Sequence, residues 1–480
     1  MLFNSIEYLF FFLPLTLAVY FFLNRKRLTV AATAWLVFAS LFFYSWWNIR
    51  YLALISGSIL FNFAVGTGLS RTARTGTSDP WRRTILAVGV IANVLLLAYY
   101  KYTDFLIANV NALGGLHLGL QRIVLPLGIS FFTFTQIAYL VDTYKETARE
   151  YDFLRYGLFV TFFPHLLAGP IIHHKEMMPQ FASMRNRVFS YRNMASALFL
   201  FFIGLFKKVI IADALAGVAN AGFASAATLT FFDAWVSSLS YTLQLYFDFS
   251  AYTDMALGAS LMFNIRLPIN FNSPYRATDI TDFWRRWHMT LSRFLRDYVY
   301  IPLGGNRKGC ARTYLNLMAT FLVGGLWHGA GWTFVFWGFL HGAATVVHRF
   351  WTRLDLRMPR VVAWFITFNF VNVAWVFFRA KSWKDAMHFI RAMCGAGGIG
   401  MASHLDRLGI YFGSLIFMHV NRNIIAVLAL CLLLAIFARN SNEMTRAFRP
   451  NWATGAFVVL IAAYSLLSIH NVTEFLYFNF

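Results

Sequence analysis

The sequence predicts an all-α polytopic membrane protein with roughly eleven to thirteen spanning or re-entrant helices, and three observations carry that prediction. Hydrophobic residues make up 59% of the chain and charged ones only 13%, with a mean hydropathy of +0.57, far from a soluble average. Stretches free of Asp, Glu, Lys and Arg recur at 28–49, 51–70, 84–100, 123–141, 156–172, 361–378, 424–437 and 452–473, and about 20 apolar residues suffice to cross a bilayer. Basic residues collect between the apolar runs, as loops beside anionic headgroups require.

Taken in order, the first apolar run, 8–23, follows Glu7 and has neither a basic leader nor a small-residue cleavage site, so it is expected to be retained. Arg25, Lys26 and Arg27 follow it, and Arg71, Arg74, Arg82 and Arg83 follow the third run. Both loops are expected on the cytoplasmic side, with the amino terminus outside. Less regular apolar segments at 194–206, 214–232, 234–247, 255–265, 313–327, 329–348 and 408–421 complete the set. With no Pro/Gly/Ser-rich linker and no internal repeat, one membrane domain is expected over 1–480. Residues 142–312 mix charges with short apolar stretches, and function is expected to concentrate there, because polar groups are costly at membrane depth unless paired or wetted.

A net charge of +21 fits the positive-inside bias and contact with membrane lipids better than nucleic-acid binding, which is not expected. Cys310, Cys394 and Cys431 are too widely spaced for a disulfide framework or a metal knuckle. His341 and His348 share a helix face without a carboxylate or Cys beside them, so no metal site is predicted. His173, His174, His404 and His419 read as interfacial or loop residues.

Histidine is the side chain best suited to proton transfer near neutral pH, and desolvation favours its neutral form. Among the 12 histidines, His328 stands out: it sits in the apolar run GGLWHGAGW, next to glycines that permit close backbone approach or a helix break. From these local features alone a structural and a catalytic role are equally open. At 3.6 residues per turn, Asp282 to Tyr300 sorts Asp282, Arg285, Arg286, Arg293, Arg296 and Asp297 onto one side. Trp284, Trp287, Leu291, Phe294, Leu295 and Tyr298 fall opposite, giving a basic amphipathic helix at the headgroup boundary with His288 on its apolar half. In QLYFDFSAYTDMALG, which holds Gln244, a helix would put Asp248 and Tyr252 one turn apart, and these residues either tie helices together or shape a polar tunnel. Lys207, Lys208 and Asp213 read as a membrane-edge anchor. No GxSxG elbow is present to supply a nucleophilic serine.

These motifs together resemble the membrane-bound O-acyltransferase family, in particular its bacterial branch that acetylates alginate and other exported polysaccharides. The likeness rests on DFWRRWHMTLSRFLRDYVYIPLGGNRKG at 282–309, GGLWHGAGWTFVFWGFLHG at 324–342, LPLGISFFTFTQIAYLVD at 125–142, FFPHLLAGPI at 162–171 and the run at 244–258. The resemblance implies a ring of helices around a thin central tunnel, with no bound cofactor and with acetyl-CoA as the cytoplasmic donor. His328 matches the family's catalytic histidine and His288 the second histidine of the bacterial branch. His165 stands where the family usually has Gln, which puts a third histidine near the tunnel.

The carboxyl-terminal TEFLYFNF resembles the aromatic end of a small partner protein in the related D-alanyl transfer system. That likeness casts Tyr477 as an acyl carrier, handing acetyl to a periplasmic hydrolase-like partner that modifies the polysaccharide. The location implied is the bacterial inner membrane. A multi-pass transporter or flippase, a D-alanyl transferase and a lipid acyltransferase are the competing readings, and His328 as a base or as an acylated residue are the competing mechanisms.

Overall fold

The run 123–141 begins as extended chain and becomes helical only at Ile129, after Gly128 turns the backbone at φ 73°. The computed structural model describes residues 1–72, 79–400, 409–411, 417–469, 473, 475 and 476. Among them, apart from a short antiparallel pair, Gly409–Tyr411 with Phe417–His419, the regular structure is helical. The described residues fall into two compact units, one comprising Met1–Leu198 with Met255–Pro268, the other Phe199–Asp254 with Ile269–Phe480.

By length and apolarity, five helices among the described residues qualify as spans: Glu7–Arg25, Arg50–Arg71, Pro80–Gly114, Tyr191–Ala224 and Arg360–Arg379. A sixth candidate is bent by 53° between Asn423–Phe437 and Ser441–Ala447, and Thr29–Ser45 and Trp452–Leu467 are shorter apolar helices. The larger number expected from the sequence counted spanning and re-entrant helices together, whereas the five are long apolar helices alone. The run 156–172 is broken: Asp152 caps Phe153–Thr161, Pro164 opens the four-residue helix Phe163–Leu166, and the chain then loses helical form. A proline lacks the N–H that the preceding turn needs and fits only a first turn.

In the first unit, Tyr8, Phe12, Phe43 and Phe163 pack edge-on and tilted, with centroids 5.1–6.2 Å apart. Asn62 and Asn93 exchange side-chain hydrogen bonds of 3.1 and 2.6 Å between two candidate spans. Gln136 donates to Ser58 at 2.9 Å and accepts from Tyr156 at 3.3 Å. Amide pairing of this kind joins helices where apolar surface alone gives no preference over lipid. His173 and His174 are buried, 3.6 Å from Asp142 and 3.7 Å from Glu150 respectively, with His173 in extended backbone just before the helix His174–Ala182. At Glu150 burial raises the carboxyl pKa, but contacts from His174, the Asp152 N–H and the Arg155 charge outweigh it and leave it below the usual range.

In the second unit, Gly309–His328 and Trp332–Trp351 form an antiparallel hairpin joined by three residues. Its closeness is set by glycine. A Cβ on Gly325 would lie 2.4 Å from the Phe334 carbonyl oxygen, and one on Gly338 would lie 2.5 Å from that of Phe321. At the bend near Phe437, the Arg276 guanidinium donates to the carbonyls of Ile436 and Ala438, which the broken helix frees. Asn440 and Glu443 then restart the helix with a capping box.

Candidate active site

His328 is the last residue of its helix, and Gly329 continues in an extended conformation. A side chain there would overlap the Phe334 ring, with a Cβ 2.2 Å from it. The glycines thus realise both alternatives that the sequence left open: they end the helix beside the ring and admit the returning helix. The His328 ring is 5% exposed and lies 4.9 Å from Trp327, 5.2 Å from Trp337 and 5.1 Å from Phe378, measured between centroids.

His288 occupies a different local structure from the one its periodicity predicts. The continuous amphipathic helix expected over 282–300 is interrupted: Ile280–Arg286 ends, His288 adopts the left-handed region at φ 44°, ψ 52°, and Met289–Leu295 starts anew before the wider π turn Arg296–Tyr300. A non-glycine residue held there costs about 1–3 kcal/mol, and Asn270 supplies compensating contacts. Its backbone carbonyl accepts from Met289 N–H at 3.0 Å, while its side-chain oxygen accepts from the Thr290 N–H and hydroxyl at 3.2 and 2.7 Å. The 3.6-residue period did not reveal this break, because the clamp comes from a residue eighteen positions upstream.

The break turns the fully buried His288 ring towards His328, centroid to centroid 6.4 Å at 61°. Phe249 closes on His288 at 4.9 Å and Trp327 at 6.1 Å. Behind them Trp337 stacks on Trp375 at 5.6 Å. His341, which the sequence assigned no metal role, is buried against Trp337 and accepts from the Trp284 indole N–H at 3.2 Å through Nδ1. Among the described residues, no three His, Cys, Asp or Glu side chains gather at metal-ligand spacing.

The helix Phe231–Met262 carries the other predicted residues. Asp248 meets Lys208 at 2.8 Å, and Lys208 also donates to Asp213 at 2.8 Å. Lys208 is 2% exposed. It is therefore an internal ion pair and not the membrane-edge anchor expected, because Lys207–Ala212 winds as a π-helix and that wider turn brings residues five apart together. Lys207 pairs separately with Asp254 at 2.8 Å, and Ser441 donates to the same carboxylate at 2.8 Å. Tyr252 packs edge-on against Phe475 at 4.9 Å, and Gln244 is buried on the same helix.

Of the remaining predicted residues, His165 lies in the first unit, buried, with Nε2 3.1 Å from the Phe159 carbonyl oxygen. Tyr477 and His404, and the side chain of His419, lie outside the described residues. The second unit thus brings His288 and His328 together inside an aromatic wall, and holds Asp248 in a charged cluster. The wall residues Phe249, Trp337 and Phe378 were missed from the sequence, where an aromatic on an apolar helix reads as ordinary core.

The sequence model of the membrane-bound O-acyltransferase family matches residues 17–382. A peptidoglycan O-acetyltransferase of Helicobacter pylori is 45% identical, covering 100% of this chain and 98% of its own. A probable alginate O-acetylase of Pseudomonas putida is 38% identical, covering 100% of both. A teichoic acid D-alanyltransferase of Streptococcus thermophilus is 26% identical over 54% of this chain and 69% of its own.

Proposed function

We infer the reaction from one premise: the chain belongs to the membrane-bound O-acyltransferase family. It is a membrane-embedded acyltransferase. We propose that it moves acetyl from cytoplasmic acetyl-CoA across the bacterial inner membrane for O-acetylation of an exported or cell-envelope polysaccharide. Peptidoglycan and alginate are the two acceptors to try, since these are the polymers named for its full-length relatives. Lower identity over about half the chain makes D-alanyl transfer the weaker reading.

The observation that carries the proposal is the His288–His328 pair, 6.4 Å between ring centroids and walled by aromatic rings. His328 accepts the proton of the acceptor hydroxyl as its oxygen bonds the thioester carbonyl carbon. The C–S bond then breaks and the departing thiolate takes the proton, while His288 orients the hydroxyl. Aromatic walls keep water from competing for the thioester. No bound cofactor is needed, acetyl-CoA being a substrate. Direct acylation of His328 remains the rival mechanism, distinguishable by trapping acetyl on the protein.

We further propose Tyr477 as the hydroxyl that first receives acetyl and presents it to a periplasmic hydrolase-like partner. Gln244, Asp248 and Tyr252 are proposed to line the route to it. The reading is tested with purified protein in lipid nanodiscs by following free CoA from acetyl-CoA and ester-linked acetate on the glycan. His328→Ala protein that still inserts and folds is expected to release neither. Tyr477→Phe is expected to stop transfer to the external acceptor, and retained transfer would remove this tyrosine from the pathway.

A further inference from the structure

Lys208, Asp213 and Asp248 carry two carboxylates for one ammonium. The Lys208 and Asp248 side chains are each 2% exposed and that of Asp213 is 22% exposed. Both Lys208 contacts use one oxygen of each carboxylate, Asp213 Oδ1 and Asp248 Oδ1. The second oxygens face the carboxyl-terminal segment. Asp213 Oδ2 accepts from the Thr473 hydroxyl at 2.7 Å, and Asp248 Oδ2 accepts from the Leu476 N–H at 2.9 Å. Between those two anchors the Phe475 ring covers the ammonium at 4.8 Å and meets Tyr252 at 4.9 Å. Phe475 is 0% exposed and Leu476 8%.

A buried cluster of net negative charge is unfavourable unless donors satisfy its remaining lone pairs. Here the Thr473 hydroxyl and the Leu476 N–H satisfy the second carboxylate oxygens, while the Phe475 ring covers the ammonium. Three contacts of different kinds over four residues constrain the path of the segment as well as its attachment. We propose that Lys208, Asp213 and Asp248 form an internal docking site whose ligand is the chain's own carboxyl-terminal segment, and that they are positioning residues for Tyr477. The docking stands on these contacts, whereas the positioning role rests on the acyl-carrier reading of Tyr477. Asp248 holds the N–H of Leu476, the residue directly before Tyr477 in the chain.

The test uses the full chain in nanodiscs and the substitution Thr473→Val, which removes one anchor without stranding a buried lysine, with Thr473→Ser as the conservative variant that restores the hydroxyl. Hydrogen–deuterium exchange is read on the peptide covering 471–480 and on the helix Phe231–Met262. Thr473→Val is expected to exchange at least tenfold faster over 471–480 with the helix unchanged, and Thr473→Ser to return to the wild-type rate. It is also expected to lower kcat for transfer to an external acceptor at unchanged KM for acetyl-CoA. Tail exchange that is unaltered in both Thr473→Val and Asp213→Asn overturns the docking site. Faster exchange with an unchanged kcat upholds docking and overturns the positioning role. Full transfer by Tyr477→Phe defeats the carrier reading, and with it the positioning role, while the exchange measurement still decides whether the tail is docked.

Discussion

One helix, Phe231–Met262, serves two surroundings that handle polarity in opposite ways. Phe249 faces His288 and belongs to a wall of Trp327, Trp337, Phe378 and Trp375 rings around the paired histidines. Asp248, one residue earlier, faces Lys208 and the carboxyl-terminal segment. In the first region titratable rings are set among apolar surfaces that hold them by shape. In the second, full charges are held by other charges and by donors. Successive helical residues point about 100° apart, so adjacent positions can serve both regions at once. The difference teaches that burial has separate uses here: in one region it keeps a ring dry and oriented, and in the other it makes a charge pair depend on its neighbours.

The comparison is broken most directly by His328→Ala. If the histidine pair is chemical and not structural, transfer falls by roughly 100- to 10,000-fold, the range of general acid–base catalysis, while the thermal unfolding midpoint in detergent stays near wild type. Lys208→Met, unlike His328→Ala, is expected to lower stability as well as transfer. It strands two carboxylates and is expected to cost about 3–5 kcal/mol of stability, read as a lowered unfolding midpoint, with the double substitution Lys208→Met/Asp248→Asn recovering part of the loss. Equal unfolding midpoints for Lys208→Met and wild type would show that the cluster is wetter than its burial implies. Gly325→Ala sharpens the aromatic side. Its new methyl group meets the Phe334 carbonyl and must push the hairpin apart, at about 1–3 kcal/mol, and transfer is expected to fall along with stability because His328 and Trp337 ride on the two separated helices.

Much of this was legible beforehand in residues whose role is local. His328 among glycines announced a helix break or a close approach, and both are present. The 3.6-residue period put Asp248 and Tyr252 one turn apart, but 234–247 and 255–265 were read as separate segments where one helix, Phe231–Met262, runs through both. His288 shows where such reading stops. Its apolar side was inferred from a helix that does not continue through it, and Asn270, far upstream, holds the left-handed turn that aims the ring. Lys207 and Lys208 mislead for a related reason. Adjacent lysines at the end of an apolar run usually snorkel to headgroups, yet a π turn and partners 40 and 47 positions along the chain draw them inside.

Composition by itself determined that the chain lives in a bilayer, because 59% hydrophobic residues and long charge-free runs leave no soluble alternative. Ordered motifs determined the family and singled out His288 and His328. Only the tertiary structure decided that the two rings meet, that aromatic side chains enclose them, and that Asp248 holds a lysine and the tail. The physical reason is range. Helix periodicity and glycine sterics act over a turn or two and are written in neighbouring residues, whereas ring packing and buried charge pairing join segments tens to hundreds of residues apart and exist only once the chain has folded.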